Sequence, residues 1–128
     1  MQTHLADWIK DTPRGIEADA ILRKCVHCGF CTATCPTYQL LGDELDGPRG
    51  RIYLIKQMLE GGEVSEKTQL HLDRCLSCRS CESTCPSGVH YSRLLDFGRR
   101  PPNAAPPAPI DPQWTEQETP HDANRTRP

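Results

Sequence analysis

The feature that most constrains this chain is a cysteine motif that occurs twice. The stretch "RKCVHCGFCTATCPTY" (23–38) aligns with "DRCLSCRSCESTCPSG" (73–88) at an offset of 50 residues. Four cysteines and one proline fall in register at that offset. Each half reads C-x2-C-x2-C-x3-C-P, so the sequence contains an internal duplication of one ligand-binding loop.

This spacing is typical of a chain that binds [4Fe–4S] clusters. The first three cysteines of a loop can reach three irons of one cluster, whereas the fourth stands beside a proline that turns the chain away. In two-cluster proteins that fourth cysteine ligates the other cluster. The sequence therefore predicts two [4Fe–4S] clusters with exchanged fourth ligands. The predicted sets are Cys25, Cys28, Cys31 and Cys85 for the first cluster, and Cys75, Cys78, Cys81 and Cys35 for the second.

Two other uses of eight cysteines stay open at this point. Two zinc sites of four thiolates each would use the same residues, although zinc ribbons usually present separated C-x2-C pairs. A disulfide framework is disfavoured because the chain shows no export signal. His27, between two cysteines, is more typical of a surface residue than of a cluster ligand. No Cys/His or Ser/His/Asp set is visible outside the loops, so we predict no catalytic residue.

Basic residues flank both cysteine loops. Cations beside a cluster of net negative charge would stabilise the loop and raise its reduction potential. Ordinary solvated charges are an equally good interpretation of any single one of them. The residues concerned are Arg23, Lys24, Arg49, Arg51, Arg74 and Arg79.

Composition and charge narrow the class of protein. Only 36% of the 128 residues are apolar and 5% aromatic, so the core will be thin and a metal staple is expected. The net charge of −2 argues against nucleic acid as a partner. No apolar stretch is long enough for a transmembrane segment, and the N-terminus lacks a secretory h-region. We therefore expect a cytoplasmic chain, where cysteines serve metal or redox chemistry.

The segments around the loops predict helices and no strands. One helix is expected from Thr12–Pro13 to Arg23–Lys24, and another from Pro48 to Gly61, because prolines and hydroxyl residues begin helices and glycines end them. The predicted apolar faces are Ile16, Ala20 and Ile21 in the first helix and Ile52, Ile55, Met58 and Leu59 in the second.

Two shorter helices are predicted further along. Ser65 is a good N-cap for a helix that carries Leu72, Cys75 and Leu76 on one side, and Tyr91–Phe97 forms the other. After Gly98 the composition changes, since residues 99–128 hold eight of the twelve prolines. The sequence thus predicts an all-α domain built around two cysteine loops over 1–98 and a disordered proline-rich tail over 99–128.

The segments "HCGFCTATCPTY", "DGPRGRIYLIK" and "CRSCESTCPSGV" resemble the iron–sulfur subunits of glycolate oxidase (glycolate dehydrogenase). The resemblance covers about 16–99 and implies the α-helical ferredoxin fold rather than the β-hairpins of small ferredoxins. It also implies that the eight cysteines are the ligands of two [4Fe–4S] clusters. Family members continue for several hundred residues, so the chain is expected to be a truncated, cluster-binding N-terminal part.

The resemblance implies an electron relay without substrate-catalytic residues of its own. FAD-binding glycolate oxidase subunits would oxidise glycolate to glyoxylate, and the clusters would pass electrons toward a quinone or similar acceptor. The complex would be cytoplasmic or peripheral at the inner membrane. A stand-alone ferredoxin-like carrier, the equivalent subunit of a lactate or glycerol-3-phosphate dehydrogenase complex, and a zinc-stapled interaction module are the alternatives.

Overall fold

A computed structural model describes residues 1–100, and over that range the protein is helical with no strand. The α-helices, in chain order, are α1 (Asp7–Lys10), α2 (Pro13–Lys24), α3 (Pro36–Leu41), α4 (Pro48–Leu59), α5 (Glu66–Asp73), α6 (Ser80–Thr84) and α7 (Tyr91–Arg99). Two 3₁₀ helices lie between them, at Phe30–Thr34 and Glu44–Asp46. The all-α prediction is confirmed for the described residues.

The predicted helix starts are confirmed at atomic detail. The Thr12 hydroxyl accepts a hydrogen bond from the Gly15 amide at 3.0 Å, and Pro13 occupies the first turn of α2. The Ser65 hydroxyl accepts from the Thr68 amide at 3.1 Å at the start of α5. These bonds satisfy amides that have no partner within their own helix, which is why such residues begin helices.

The core lies between α4, α7, α2 and α5. The predicted apolar face of α4 is confirmed, because all four of its residues are buried. Helix α7 crosses α4 closely at Gly98, where an added Cβ would come within 2.9 Å of Ile55 Cγ1. The side chains with at most 1% exposure are Leu22, Ile55, Leu59, Leu72 and Leu94, together with two charged residues, Asp46 and Arg51.

Two predicted faces are partly wrong. In α2 Ile21 is buried, but Ile16 is 61% exposed and Ala20 is exposed, since the buried side turns to Gly15, Ala18 and Leu22 instead. In α5 Leu72 is buried, but Leu76 is 67% exposed because the helix has already ended at Asp73. The first error concerns the rotation of a helix, which its packing neighbours set, and the second concerns where a helix ends.

The last helix includes Arg99, one residue beyond the predicted domain boundary at 98. Arg99 also anchors this helix to a cysteine loop, since its guanidinium donates to the Ser77 hydroxyl at 2.9 Å and to the carbonyl oxygen of Cys75. The predicted disordered tail otherwise falls on 101–128, outside the described residues. Among the helices of 1–100, none has the length and apolar character needed to cross a membrane.

Candidate metal centre: two cysteine-lined cavities

The two cysteine loops share one backbone conformation. In the first loop His27 and Gly29 have φ values of 56° and 84°, and in the second loop Ser77 and Arg79 have 58° and 62°. These are equivalent positions of the repeat, 50 residues apart. Left-handed residues alternating with right-handed ones turn successive backbone N–H groups toward one side, which forms the concave nests found around anionic groups and iron–sulfur sites. The duplication in sequence is thus a duplication in structure.

The loops also contact each other through equivalent residues. The Thr84 hydroxyl donates to the Thr34 hydroxyl at 3.2 Å, and these residues occupy the same position in the two repeats. The Thr34 hydroxyl also reaches the carbonyl oxygen of Ser80 at 3.5 Å, at the start of α6. A contact between equivalent residues is what a local twofold arrangement produces. This arrangement brings cysteines of one repeat next to those of the other.

Two cavities lie at these loops, and their cysteines come from both repeats. The first, cavity A, is lined by Cys25, Cys28, Cys31, Cys81 and Cys85. The second, cavity B, is lined by Cys35, Cys75, Cys78 and Cys81. Each cavity thus combines the first three cysteines of one repeat with the fourth cysteine of the other. Cys81 borders both cavities.

The side chains around each cavity suit a thiolate-bound inorganic cofactor. All eight cysteines are free thiols, so none is tied up in a disulfide. The surface that lines cavity A is almost wholly apolar, with Val26, Ile52 and Val89 between the sulfurs. Thiolates are the ligands that iron–sulfur clusters and zinc prefer, and an apolar wall keeps water away from them. The donor set fits a [4Fe–4S] cluster in each cavity.

The thiols respond differently to their surroundings. Burial, followed by the neighbouring Cys75 and Cys31, raises the pKa of Cys81 from its ordinary value to about 12. At Cys78, which is exposed, hydrogen bonds from the side chain and backbone of Ser80 lower the pKa. Because metal binding requires the thiolate form, binding must release the proton of Cys81 and couple the site to folding. Crowded buried thiolates are stable only around a cation.

A buried polar network lies behind Cys35 in cavity B. Arg51 is 1% exposed, and its guanidinium Nη2 donates to the Thr37 hydroxyl at 3.1 Å, while Nη1 lies 4.0 Å from Cys35 Sγ. The Thr37 hydroxyl lies 3.2 Å from the same sulfur and donates to the carbonyl oxygen of Asp46 at 2.7 Å. Cys35 is therefore buried against a polar network and lines cavity B.

Asp46 balances the charge of this network. Its carboxylate is 1% exposed and lies 2.8 Å from His71 Nδ1 and 3.1 Å from Arg74 Nη1, with Arg51 Nη2 at 3.9 Å. Burial alone would raise the pKa of Asp46, but the hydrogen bond from His71 and the charge of Arg74 lower it overall. The carboxylate therefore stays charged, which a buried Arg51 requires.

The flanking cations predicted from sequence fall into different environments. Arg51 is buried, and Arg74 reaches Asp46 while remaining half exposed. Arg49 is one-third exposed, pairs with Glu44 at 2.6 Å and donates to the backbone oxygen of His27 at 3.2 Å beside cavity A. The remaining three are exposed, with Arg23 paired to Asp19 and Arg79 paired to Glu82, so there the solvated-charge interpretation applies.

Sequence reasoning missed Asp46, Thr37, His71 and Tyr91, all of which lie around cavity B. A signal existed for Tyr91, since it precedes Leu94 and Leu95 by three and four residues and so shares their helix face. Arg51 likewise precedes Ile55 by four residues on the buried face of α4. Residue type concealed it, because arginine is seldom fully buried.

The family model of the 4Fe-4S dicluster domain matches residues 21–89, which contain all eight cysteines and both cavities. The chain belongs to this family. Its description fits two clusters, as the two cavities and the eight thiols do. No solved structure matches the chain.

Several curated proteins are similar to part of this dicluster chain. It is 75% identical over 99 residues to the glycolate oxidase iron-sulfur subunit of Escherichia coli (strain K12), which covers 77% of the chain and 24% of that protein. It is 48% identical over 80 residues to the probable glycolate oxidase iron-sulfur subunit of Bacillus subtilis (strain 168). That match covers 61% of the chain and 18% of the B. subtilis protein. The chain thus spans about a quarter or less of the length of these two relatives.

The chain is also similar, at lower identity, to a subunit of a different enzyme. It is 26% identical over 81 residues to the succinate dehydrogenase iron-sulfur subunit of Paracoccus denitrificans, which covers 58% of the chain and 31% of that protein. All three relatives are named as iron–sulfur subunits.

Proposed function

We propose that this chain is the cluster-binding, electron-transferring part of the iron–sulfur subunit of a glycolate-oxidising flavoenzyme complex. Cys25, Cys28, Cys31 and Cys85 hold one [4Fe–4S] cluster in cavity A, and Cys75, Cys78, Cys81 and Cys35 hold the other in cavity B. The observation that carries the proposal is that each cavity joins three cysteines of one repeat to the fourth of the other. Identity of 75% to a glycolate oxidase iron-sulfur subunit supports the assignment to that complex.

A [4Fe–4S] cluster supplies one-electron chemistry at a potential set by its net charge, by hydrogen bonds to its sulfurs and by solvent exposure. The protein positions the two sites next to each other, since Cys81 and Tyr91 line both cavities. It also excludes water with apolar side chains and keeps Cys25, Cys35 and Cys81 buried. Two adjacent, shielded sites form a short path through the chain for single electrons.

The chain itself contributes no substrate chemistry in this proposal. FAD-binding subunits of the complex oxidise glycolate to glyoxylate and release two electrons, which the chain accepts one at a time and passes toward a quinone or similar acceptor. The exposed cysteines Cys28 and Cys78 place a side of each cavity near the surface, where partner subunits can approach. The complex lies in the cytoplasm or peripherally at the inner membrane.

A chimera tests this proposal. In the chimera, the matching 99 residues of the E. coli glycolate oxidase iron-sulfur subunit are replaced by those of this chain. The chimera is produced in E. coli cells that lack the native subunit, and extracts of these cells are assayed for glycolate-dependent dye reduction. We expect the chimera to restore the activity and the Cys75→Ala chimera to abolish it. Ser83→Ala, at an exposed position within the same loop, is the matched control and should retain the activity.

The negative outcomes separate the alternatives. A chimera that binds iron but transfers electrons only from lactate or glycerol-3-phosphate would assign the chain to another dehydrogenase complex. Zinc without iron in the purified chain would contradict electron transfer and would instead indicate a zinc-stapled interaction module.

A further inference from the structure

The Tyr91 hydroxyl is buried without a hydrogen-bond partner. The residue is 4% exposed, and its Oη is the buried side-chain polar atom that lacks a partner among residues 1–100. Native proteins seldom leave such a group unpaired, because its lost hydration is not recovered elsewhere. An unpaired buried hydroxyl that borders a cofactor cavity therefore indicates a donor directed at the cofactor or at one of its ligands.

The neighbours of this hydroxyl place it toward cavity B. Tyr91 lines both cavities. Burial raises the pKa of Tyr91, and the nearby Cys75 thiol raises it further, whereas the charge of Arg51 lowers it. Cys75 and Arg51 both line cavity B and not cavity A. Cys75 and Tyr91 thus border the same cavity, where a Cys75 thiolate would accept a hydrogen bond from the hydroxyl.

Arg51 supplies a second donor to the same cavity. Its Nη1 lies 4.0 Å from Cys35 Sγ, and the guanidinium is fixed by bonds from Nε to the His71 carbonyl oxygen at 2.7 Å and from Nη2 to Thr37. Both bonds hold the planar group in one orientation, so Nη1 has no alternative direction. A charged donor in a buried pocket acts strongly on a nearby thiolate, because little water screens it.

The charge around the two cavities is unequal. Behind cavity B, the buried guanidinium of Arg51 lies beside Cys35, and its carboxylate partner Asp46 is shared with the half-exposed Arg74. Asp96 also lines cavity B, but it is exposed and therefore screened. Beside cavity A, the cation Arg49 is one-third exposed and already paired with Glu44. The buried cation therefore lies at cavity B, whereas the cation at cavity A is partly exposed and paired.

We propose that Arg51 and Tyr91 donate hydrogen bonds to the thiolates of Cys35 and Cys75 and hold the cavity B cluster at a higher reduction potential than the cavity A cluster. The proposal rests on the proposed function, since it requires both clusters. Each reduction adds one electron and no proton, so the negative charge of the site increases by one. Donors and buried positive charge favour that more negative state. An electron that enters the chain therefore resides in cavity B.

The test is an EPR-monitored redox titration of the anaerobically reconstituted 128-residue chain. We expect two midpoints in the unmodified protein. Tyr91→Phe removes a single oxygen, and it should shift only the upper midpoint to a more negative potential. At a fixed potential the reduced-to-oxidised ratio of that cluster should fall about tenfold, which is about 59 mV for a one-electron couple. Tyr53→Phe, at an exposed position on α4, should leave both midpoints unchanged.

Two further variants complete the test. Thr37→Val keeps the side-chain shape but removes the hydroxyl that orients Arg51, and it should lower the same midpoint without a buried charge being deleted. Cys35→Ser should alter the EPR signal of the upper-potential cluster, which identifies that cluster as the one in cavity B.

Each remaining outcome is decisive. Unchanged midpoints in both Tyr91→Phe and Thr37→Val, with two clusters present, would overturn the inference and leave the proposed function standing. A shift of the lower midpoint would overturn it as well, since the donors would then act on the wrong cluster. A chain that binds no iron would overturn both proposals together.

Discussion

Replacing Cys35 by alanine distinguishes exchanged from unexchanged ligation by its effect on stability. In the proposed arrangement Cys35 and Cys85 both link the two repeats, so Cys35→Ala is compared with its parent in the Cys85→Ala background, where the link from Cys35 to the cluster held by Cys75 closes a loop of about 40 residues. By the chain-entropy relation for a cross-link, that closure contributes about 4 kcal/mol to the free energy of unfolding. If Cys35 instead bound with Cys31, four residues earlier, the link would contribute only about 2 kcal/mol.

Cys28→Ala is the matched control. Cys28 lies three residues from both Cys25 and Cys31, so its loss opens only short loops and should cost about 2 kcal/mol. The assay is anaerobic guanidinium unfolding of the cluster-loaded chain at one fixed incubation time, followed by cluster absorbance and by helical circular dichroism. The free energy of unfolding should fall by about 4 kcal/mol per molar guanidinium. The guanidinium concentration at the unfolding midpoint should therefore fall by about 1 M for Cys35→Ala and by about 0.5 M for Cys28→Ala.

EPR of the single variant Cys35→Ala should show damage to the cluster of Cys75, Cys78 and Cys81, while the other signal is retained. Equal midpoint shifts in the two variants, with damage confined to the cluster of Cys25, Cys28 and Cys31, would refute the exchange of fourth ligands.

Three other predictions follow from the packing and from the site. Gly98→Ala should destabilise the domain by about 1–3 kcal/mol in thermal unfolding, because the new Cβ would meet Ile55 at 2.9 Å and Leu72 at 3.1 Å; an unchanged melting temperature would mean that α7 packs elsewhere. Arg51→Met should cost about 3–5 kcal/mol by leaving Asp46 without one buried partner, and the Arg51→Met/Asp46→Leu double variant should recover most of that loss; a double variant as unstable as the single one would contradict a buried charge pair. Removal of the clusters with a chelator and an oxidant should greatly increase proteolysis within 25–85, and equal resistance before and after removal would show that the clusters do not stabilise the fold.

Local chemistry was enough to predict much of the fold and of the site. The N-caps at Thr12 and Ser65 and the helix that starts at Pro48 depend on hydrogen bonds and dihedral angles within a few residues, so a short segment specifies them. The pairing of the loops was predictable because a fourth cysteine that faces away from its own loop needs a partner in the other repeat. Each cavity is lined by three cysteines of one repeat and the fourth cysteine of the other. That these cysteines bind clusters stays a prediction.

What could not be predicted depends on contacts between distant segments. Ile16 was expected to be buried, but Ile9 and α7 pack against the other side of α2, and a periodicity in sequence does not show which neighbour a helix will meet. Arg51 resembled any other cation beside the loops, since its burial requires Asp46 and His71 to meet it from two other elements. The asymmetry between the cavities is therefore a property of the fold.

The central claim is that the chain holds two [4Fe–4S] clusters, and the most direct test is quantitative iron, acid-labile sulfide and zinc analysis of the 128-residue chain purified without oxygen. Two clusters require about eight iron and about eight sulfide per chain with negligible zinc. The sample should be brown, and its visible absorbance should bleach on reduction. About two zinc per chain with negligible iron and sulfide would contradict the account.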